Sequence, residues 1–192
     1  ARESRGGDGR GSEPVSAIAF LNVAMHGHVN PTLPVVAELV RRGHSVSYHT
    51  SPAFREEIAA TGANVCLYPG GDPPLPDPPM PVTLMEGLAR SAVHLLPAVL
   101  TDLRRVRPHL IVHDSACLWG AVAARELRVP AASSFTTFAF NRQVPSPTRG
   151  SWDLLTAAAA RPRSLAGYLR SRRELRRRGI DVGNLKVSAN AD

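Results

Sequence analysis

The strongest constraint in this sequence is an alternation. Short apolar runs at residues 17–23, 45–49, 64–68, 110–113 and 131–134 are separated by segments whose apolar residues recur every three or four positions. Runs of that length, bounded by turn residues, read as strands. The longer segments (31–42, 51–62, 82–107 and 118–127) read as amphipathic helices. Strand and helix alternating this often predict an α/β fold, a doubly wound, Rossmann-like parallel sheet with right-handed crossovers. Local punctuation agrees with the pattern. Asn30 and Pro31 form a cap and first-position pair, and Gly43 stands where the helix over 31–42 should stop. Pro97 should kink the helix over 82–107, because it removes one backbone donor. Residues 69–81 hold seven prolines and two glycines, which predicts a stiff, irregular loop.

The remaining segments bound the function. Residues 1–14 lack apolar periodicity and read as a disordered tail, which leaves 15–192 as one domain. Two helical stretches are expected over 152–160 and 164–178, and residues 185–192 have no assignment. The net charge of +7 raises a nucleic-acid or membrane reading. Eight arginines against two acids between residues 151 and 178 supply +6 of it, with no aromatics interleaved in a stacking pattern. That pattern reads as a solvated helix face over 161–178, so neither nucleic acid nor membrane is expected as a partner. No stretch approaches the roughly 20 apolar residues of a spanning helix. Cys66 and Cys117 are too few for a disulfide framework and read as buried thiols of a reducing, cytoplasmic protein.

A doubly wound sheet of order 3-2-1-4-5 reverses direction between its first and fourth strands, and ligands bind beyond the carboxyl ends there. His26 and His28 follow the first strand, whereas His113 and Asp114 close the fourth. A histidine–carboxylate pair in that crevice suits general-base chemistry. The carboxylate fixes the imidazole tautomer, and the free nitrogen takes a proton from a hydroxyl, typically for about 10²–10⁴ in rate. The plainer alternative is that His28 only ties the turn while Asp114 caps the next helix. A dinucleotide is not expected here, since His26-Gly27-His28-Val29-Asn30-Pro31 has one glycine where a pyrophosphate needs several. A His-x-His metal-dependent hydrolase, with His113 and Asp114 as further ligands, is a rival reading, and a non-catalytic module docking a partner through its arginine-rich helices is another.

These residues also carry a resemblance. The stretches 26–31 (HGHVNP), 39–46 (LVRRGHSV), 60–63 (ATGA), 110–114 (LIVHD) and 128–131 (RVPA) closely resemble, in order and spacing, the N-terminal domain of macrolide-type glycosyltransferases. The resemblance covers about residues 18–140. It implies one half of a two-domain, inverting GT-B glycosyltransferase that acts on nucleotide-activated sugars. It makes His28 the base that deprotonates an acceptor hydroxyl and Asp114 its partner, with no chemical role for His26. It directs a hydrophobic natural-product acceptor, macrolide- or polyketide-like, to the 69–81 loop and to Met85, Ser115, Phe135 and Thr136. No metal and no resident cofactor are implied. The nucleotide sugar is a co-substrate of a C-terminal domain absent from these residues, so the chain alone is expected to be inactive unless a partner chain supplies that half.

Overall fold

Apolar at every position, the first strand, β1 (Ala17–Leu21), is buried on both faces, which places it at the centre of a sheet. The computed structural model describes residues 15–71, 81–136 and 159–178, and in it β1 is joined by β2 (Ser45–Thr50), β3 (Asn64–Leu67), β4 (Leu110–Asp114) and β5 (Ala131–Ser134). All four pairings are parallel, and the order is β3-β2-β1-β4-β5. The direction of winding thus reverses between β1 and β4, as the alternation predicted. The small residues of β5 (Ala-Ala-Ser-Ser) suit its place at the sheet edge, where three of the four are exposed.

Helices cover both faces, and each face has its own core. On one side lie α1 (His26–Val29), α2 (Leu33–Arg41) and α3 (Arg55–Ala59), packed through Val29, Val36, Phe54 and Ile58 onto Ile18, Phe20, Val46 and Tyr48. On the other lie α4 (Pro81–Val106), α5 (Leu118–Leu127) and α6 (Pro162–Arg177). Their apolar stripe includes Leu88, Ala92, Leu95, Leu96, Val99 and Leu103 of α4, Trp119 and Val122 of α5, and Leu175 of α6. Each such leucine, fully buried, contributes about 1.5–3 kcal/mol. Gly43, at φ +88°, ends the first helical segment in the left-handed region that glycine enters without strain.

Several boundaries differ from the sequence expectation, and each for a physical reason. The first helix begins at His26 rather than Pro31, so Asn30 makes no side-chain cap and lies within a helical run. Pro31 has no N–H to give the carbonyl four residues back, and the run tightens there into a 3-10 turn over Asn30–Thr32 before α2. The second helix is short, a 3-10 turn (Pro52–Phe54) leading into α3. Helix α4 continues through Pro97, as the apolar spacing over 82–107 predicts. The carbonyl of Val93, which Pro97 cannot engage, instead accepts a hydrogen bond from Nη1 of Arg178 at 3.1 Å. The expected tail over 1–14, most of the proline-rich loop (72–80), nearly all of the expected helix over 152–160 and the unassigned end lie outside the described residues. No helix among the described residues is long and apolar enough to cross a membrane.

Candidate active site

At the β1–β4 reversal the structure brings two sequence-distant segments together. Asp114 is the last residue of β4, and His28 lies on α1, just beyond β1. Nδ1 of His28 stands 2.8 Å from Oδ2 of Asp114, whose side chain is fully buried, whereas the imidazole is 20% exposed. The other carboxylate oxygen, Oδ1, accepts the Ala116 N–H at 2.7 Å. Both oxygens of a carboxylate removed from water are therefore engaged, as burial of a charge requires. This bond fixes the His28 tautomer: Nδ1 carries the proton and donates it, leaving the Nε2 lone pair as the acceptor. Asp114 also braces its own turn, and in doing so it joins both readings, since it ties local backbone while holding the histidine.

The other candidates divide. Thr136 Oγ1 lies 3.4 Å from Nδ1 of His28, at the rim of the pair. Ser115 follows Asp114 and is half-buried, with its N–H bonded to the Ser134 carbonyl. Met85 and Phe135 are half-buried, and no hydrogen bond or ring contact between described residues ties either of them to His28. His26 turns aside, its ring edge-on to Phe54 at 4.9 Å. His113 does not join the crevice. Neighbours in a strand face opposite ways, so His113 points with Ile111 into the α4–α5 core, where its Nδ1 bonds the Asp114 carbonyl at 3.0 Å. Burial lowers its pKa, with the Asp114 carbonyl and charge opposing. Gly120 of α5 sits directly over it, where an added Cβ would lie 2.5 Å from the His113 Cβ. Among the described residues no three histidine, cysteine or acidic side chains gather as a metal-ligand set.

Beneath His28 lies a polar network that sequence reasoning missed. The Asn22 amide, just after β1, spends its two donors on the His28 carbonyl (2.9 Å) and the Tyr48 hydroxyl (2.8 Å). Thr32 Oγ1 donates to the Val29 carbonyl at 2.7 Å and lies 2.7 Å from the Tyr48 oxygen. Because Thr32 has already spent its proton and Tyr48 accepts from Asn22, Tyr48 is the donor between them. Burial pushes the Tyr48 phenol further above its usual range, so it stays protonated and able to donate. A single polar residue after an apolar run reads as mere punctuation, and only the neighbouring strand's tyrosine shows that Asn22 is enclosed.

Arginine dominates α6, where Arg163, Arg170, Arg173, Arg176 and Arg177 are exposed and make no ion pair with another described residue. This agrees with the solvated face expected from the sequence. Cys66 and Cys117 are both buried.

No family model matches the chain. It is 39% identical over 124 residues to the oleandomycin glycosyltransferase of Streptomyces antibioticus, a match covering 60% of this chain and 28% of that protein. It is 27% identical over 145 residues to the demethyllactenocin mycarosyltransferase of Streptomyces fradiae, covering 68% and 32%. Among solved structures, CalG4, the calicheamicin glycosyltransferase, matches with a TM-score of 0.66 and 29% identity over 87% of this chain and 43% of that one. The glycosyltransferase of kitacinnamycin has the same fold, with a TM-score of 0.72 at 23% identity. By sequence and by fold, the chain is similar to part of the natural-product glycosyltransferases of the GT-B class. It spans about a third of the length of the curated relatives it matches, and under half of these solved chains.

Proposed function

We propose that the chain is the acceptor-side domain of an inverting glycosyltransferase that moves a sugar from a nucleotide-sugar donor to a hydroxyl of a hydrophobic natural product. One observation carries the reading: a partly exposed imidazole, its tautomer set by a buried carboxylate, stands at the switch point of the sheet. Nε2 of His28 takes the proton from the acceptor hydroxyl as that oxygen attacks the anomeric carbon. The bond to the nucleotide diphosphate breaks on the opposite side, and the configuration inverts. Asp114 orients the ring and stabilises the imidazolium that forms, so no free alkoxide needs to develop. The chain's likeness to the oleandomycin glycosyltransferase and the demethyllactenocin mycarosyltransferase supports a macrolide-like acceptor.

The donor would be held by a second domain outside these residues, in the same polypeptide or in a partner chain. The turn over 26–31 presents imidazoles rather than a glycine-rich phosphate cradle. Ser115 and Thr136, beside the pair, would line the acceptor pocket, and Met85 and Phe135 would contribute its apolar wall. Two buried cysteines, too few for a disulfide framework, fit a reducing compartment, and the reading places the enzyme in the cytoplasm. The test is sugar transfer to a panel of hydroxylated macrolides by this chain joined to a donor domain. Transfer with inversion that disappears in His28→Ala, while acceptor binding survives, supports the assignment; undiminished transfer by His28→Ala removes His28 from the mechanism.

A further inference from the structure

The general-base reading leaves unexplained what fixes the distance between His28 and Asp114. They sit on different turns, 86 residues apart in sequence, and α1 is only four residues long. It is the opening turn of a longer helical run, and a terminal turn frays unless outside contacts hold it. We propose, resting on that reading, that Asn22 is the positioning residue that sets the His28–Asp114 separation.

Two sets of bonds meet at this residue. Through its side chain, Asn22 holds the histidine's turn from below. One amide proton engages the His28 carbonyl directly, and the other starts the relay through Tyr48 and Thr32 to the Val29 carbonyl. Two successive carbonyls of α1 are thus anchored to the floor of the sheet. Through its main chain, Asn22 reaches the carboxylate's turn. Its carbonyl accepts from the Tyr68 hydroxyl at 3.2 Å, and the Tyr68 oxygen accepts from Nε1 of Trp119 at 2.9 Å. Trp119 lies in the first turn of α5, five residues beyond Asp114, and is 2% exposed.

The chemistry requires an amide at this point. Asn22 is 0% exposed, and its Oδ1 has no partner among the described residues. Exchanging the amide oxygen and nitrogen would set an oxygen against the His28 carbonyl, so the donor orientation is dictated by the network. Aspartate has the same shape and no second donor. Leucine has the volume and no donor at all. Serine offers one proton on too short an arm to reach both acceptors.

The experiment reads the imidazole itself, in the full chain labelled with ¹⁵N-histidine. The wild type should show a slowly exchanging Nδ1–H proton assigned to His28 and lost in Asp114→Asn, with ring nitrogen shifts of the Nδ1–H tautomer. In Asn22→Leu that proton should vanish into fast exchange, and the His28 shifts should move toward a mixture containing the Nε2–H tautomer, while amide dispersion reports a folded protein. If Asn22→Leu fails to fold, Asn22→Ser is read in its place and should show a smaller change in the same direction. A role confined to stability would lower the melting temperature and leave both signals at their wild-type values. That result in the folded variant overturns the proposal. Absence of the Nδ1–H signal from the wild type, or its indifference to Asp114→Asn, overturns the His28–Asp114 pair itself and the proposal with it.

Discussion

His28 and His49 stand near the same end of the sheet, on opposite faces, and their surroundings give the same side chain opposite properties. His49 pairs in register with Leu21 on β1 and Cys66 on β3, and it is 1% exposed. Its Nε2 has no partner among the described residues, and burial, opposed only by the charge of Asp102, drives its pKa from 6.5 to about 4. It is a neutral core residue with a latent cost. His28 keeps a fifth of its surface in water and has a buried carboxylate on Nδ1. Its second nitrogen is therefore left as the acceptor. A histidine becomes chemically useful when burial is given to its partner and exposure to itself.

The contrast can be broken most severely at the pair. In the enzyme carrying a donor domain, His28→Ala should lower kcat/KM for transfer by about 10²–10⁴, measured from initial rates. His49→Leu should leave that rate within a few-fold, and an equal loss in both variants would erase the distinction between the two faces.

The next largest effect concerns acid. The folded His49 resists protonation to about pH 4, whereas the unfolded chain takes up the proton near 6.5. Between these values the unfolded state binds more protons, so stability is intact above about 6.5 and falls by roughly 3 kcal/mol as pH drops to about 4. Urea unfolding at stepped pH should show this slope, and His49→Leu should flatten most of it. A residual slope in the same direction is expected from His113, whose pKa burial also lowers. An unchanged slope in His49→Leu would place the acid sensitivity elsewhere.

Smaller effects test how tightly each face is packed. Gly120→Ala forces a methyl against the His113 Cβ and should destabilise the chain by about 1–3 kcal/mol in urea. A loss below a few tenths would mean that α5 can back away from β4. On the other face, Tyr48→Phe removes one hydroxyl while leaving the amide of Asn22 its bond to His28. It should cost about 1 kcal/mol.

The layout was legible because it rests on periodicity: β1 and the stripe of α4 declare themselves by apolar spacing alone. The pairing of His28 with Asp114 followed from topology, since strand order decides which loops meet. Two features were misread. Asn30-Pro31 has the chemistry of a helix start, yet tertiary contacts extend the helix back to His26, and a 3-10 turn absorbs the proline. His113 was grouped with Asp114 by adjacency, although the two-residue period of a strand sends it to the other face. Asn22 could not be found from its own segment, because its partners Tyr48 and Tyr68 come from other strands and their continuation. Of the residues that the resemblance assigns to an acceptor pocket, Thr136 is the one whose side chain has a polar contact with the pair.

The proline in α4 has a consequence for how variants combine. By refusing the Val93 carbonyl, Pro97 creates a vacancy that Arg178, 81 positions later, fills from the end of α6. Substituting Pro97 with alanine would return that carbonyl to its own helix and leave the guanidinium without this acceptor, whereas removing Arg178 alone would strand the carbonyl. The value of each residue is therefore conditional on the other, and single substitutions at 97 and 178 should not add. A local defect in one helix acts as an address that the end of another must read.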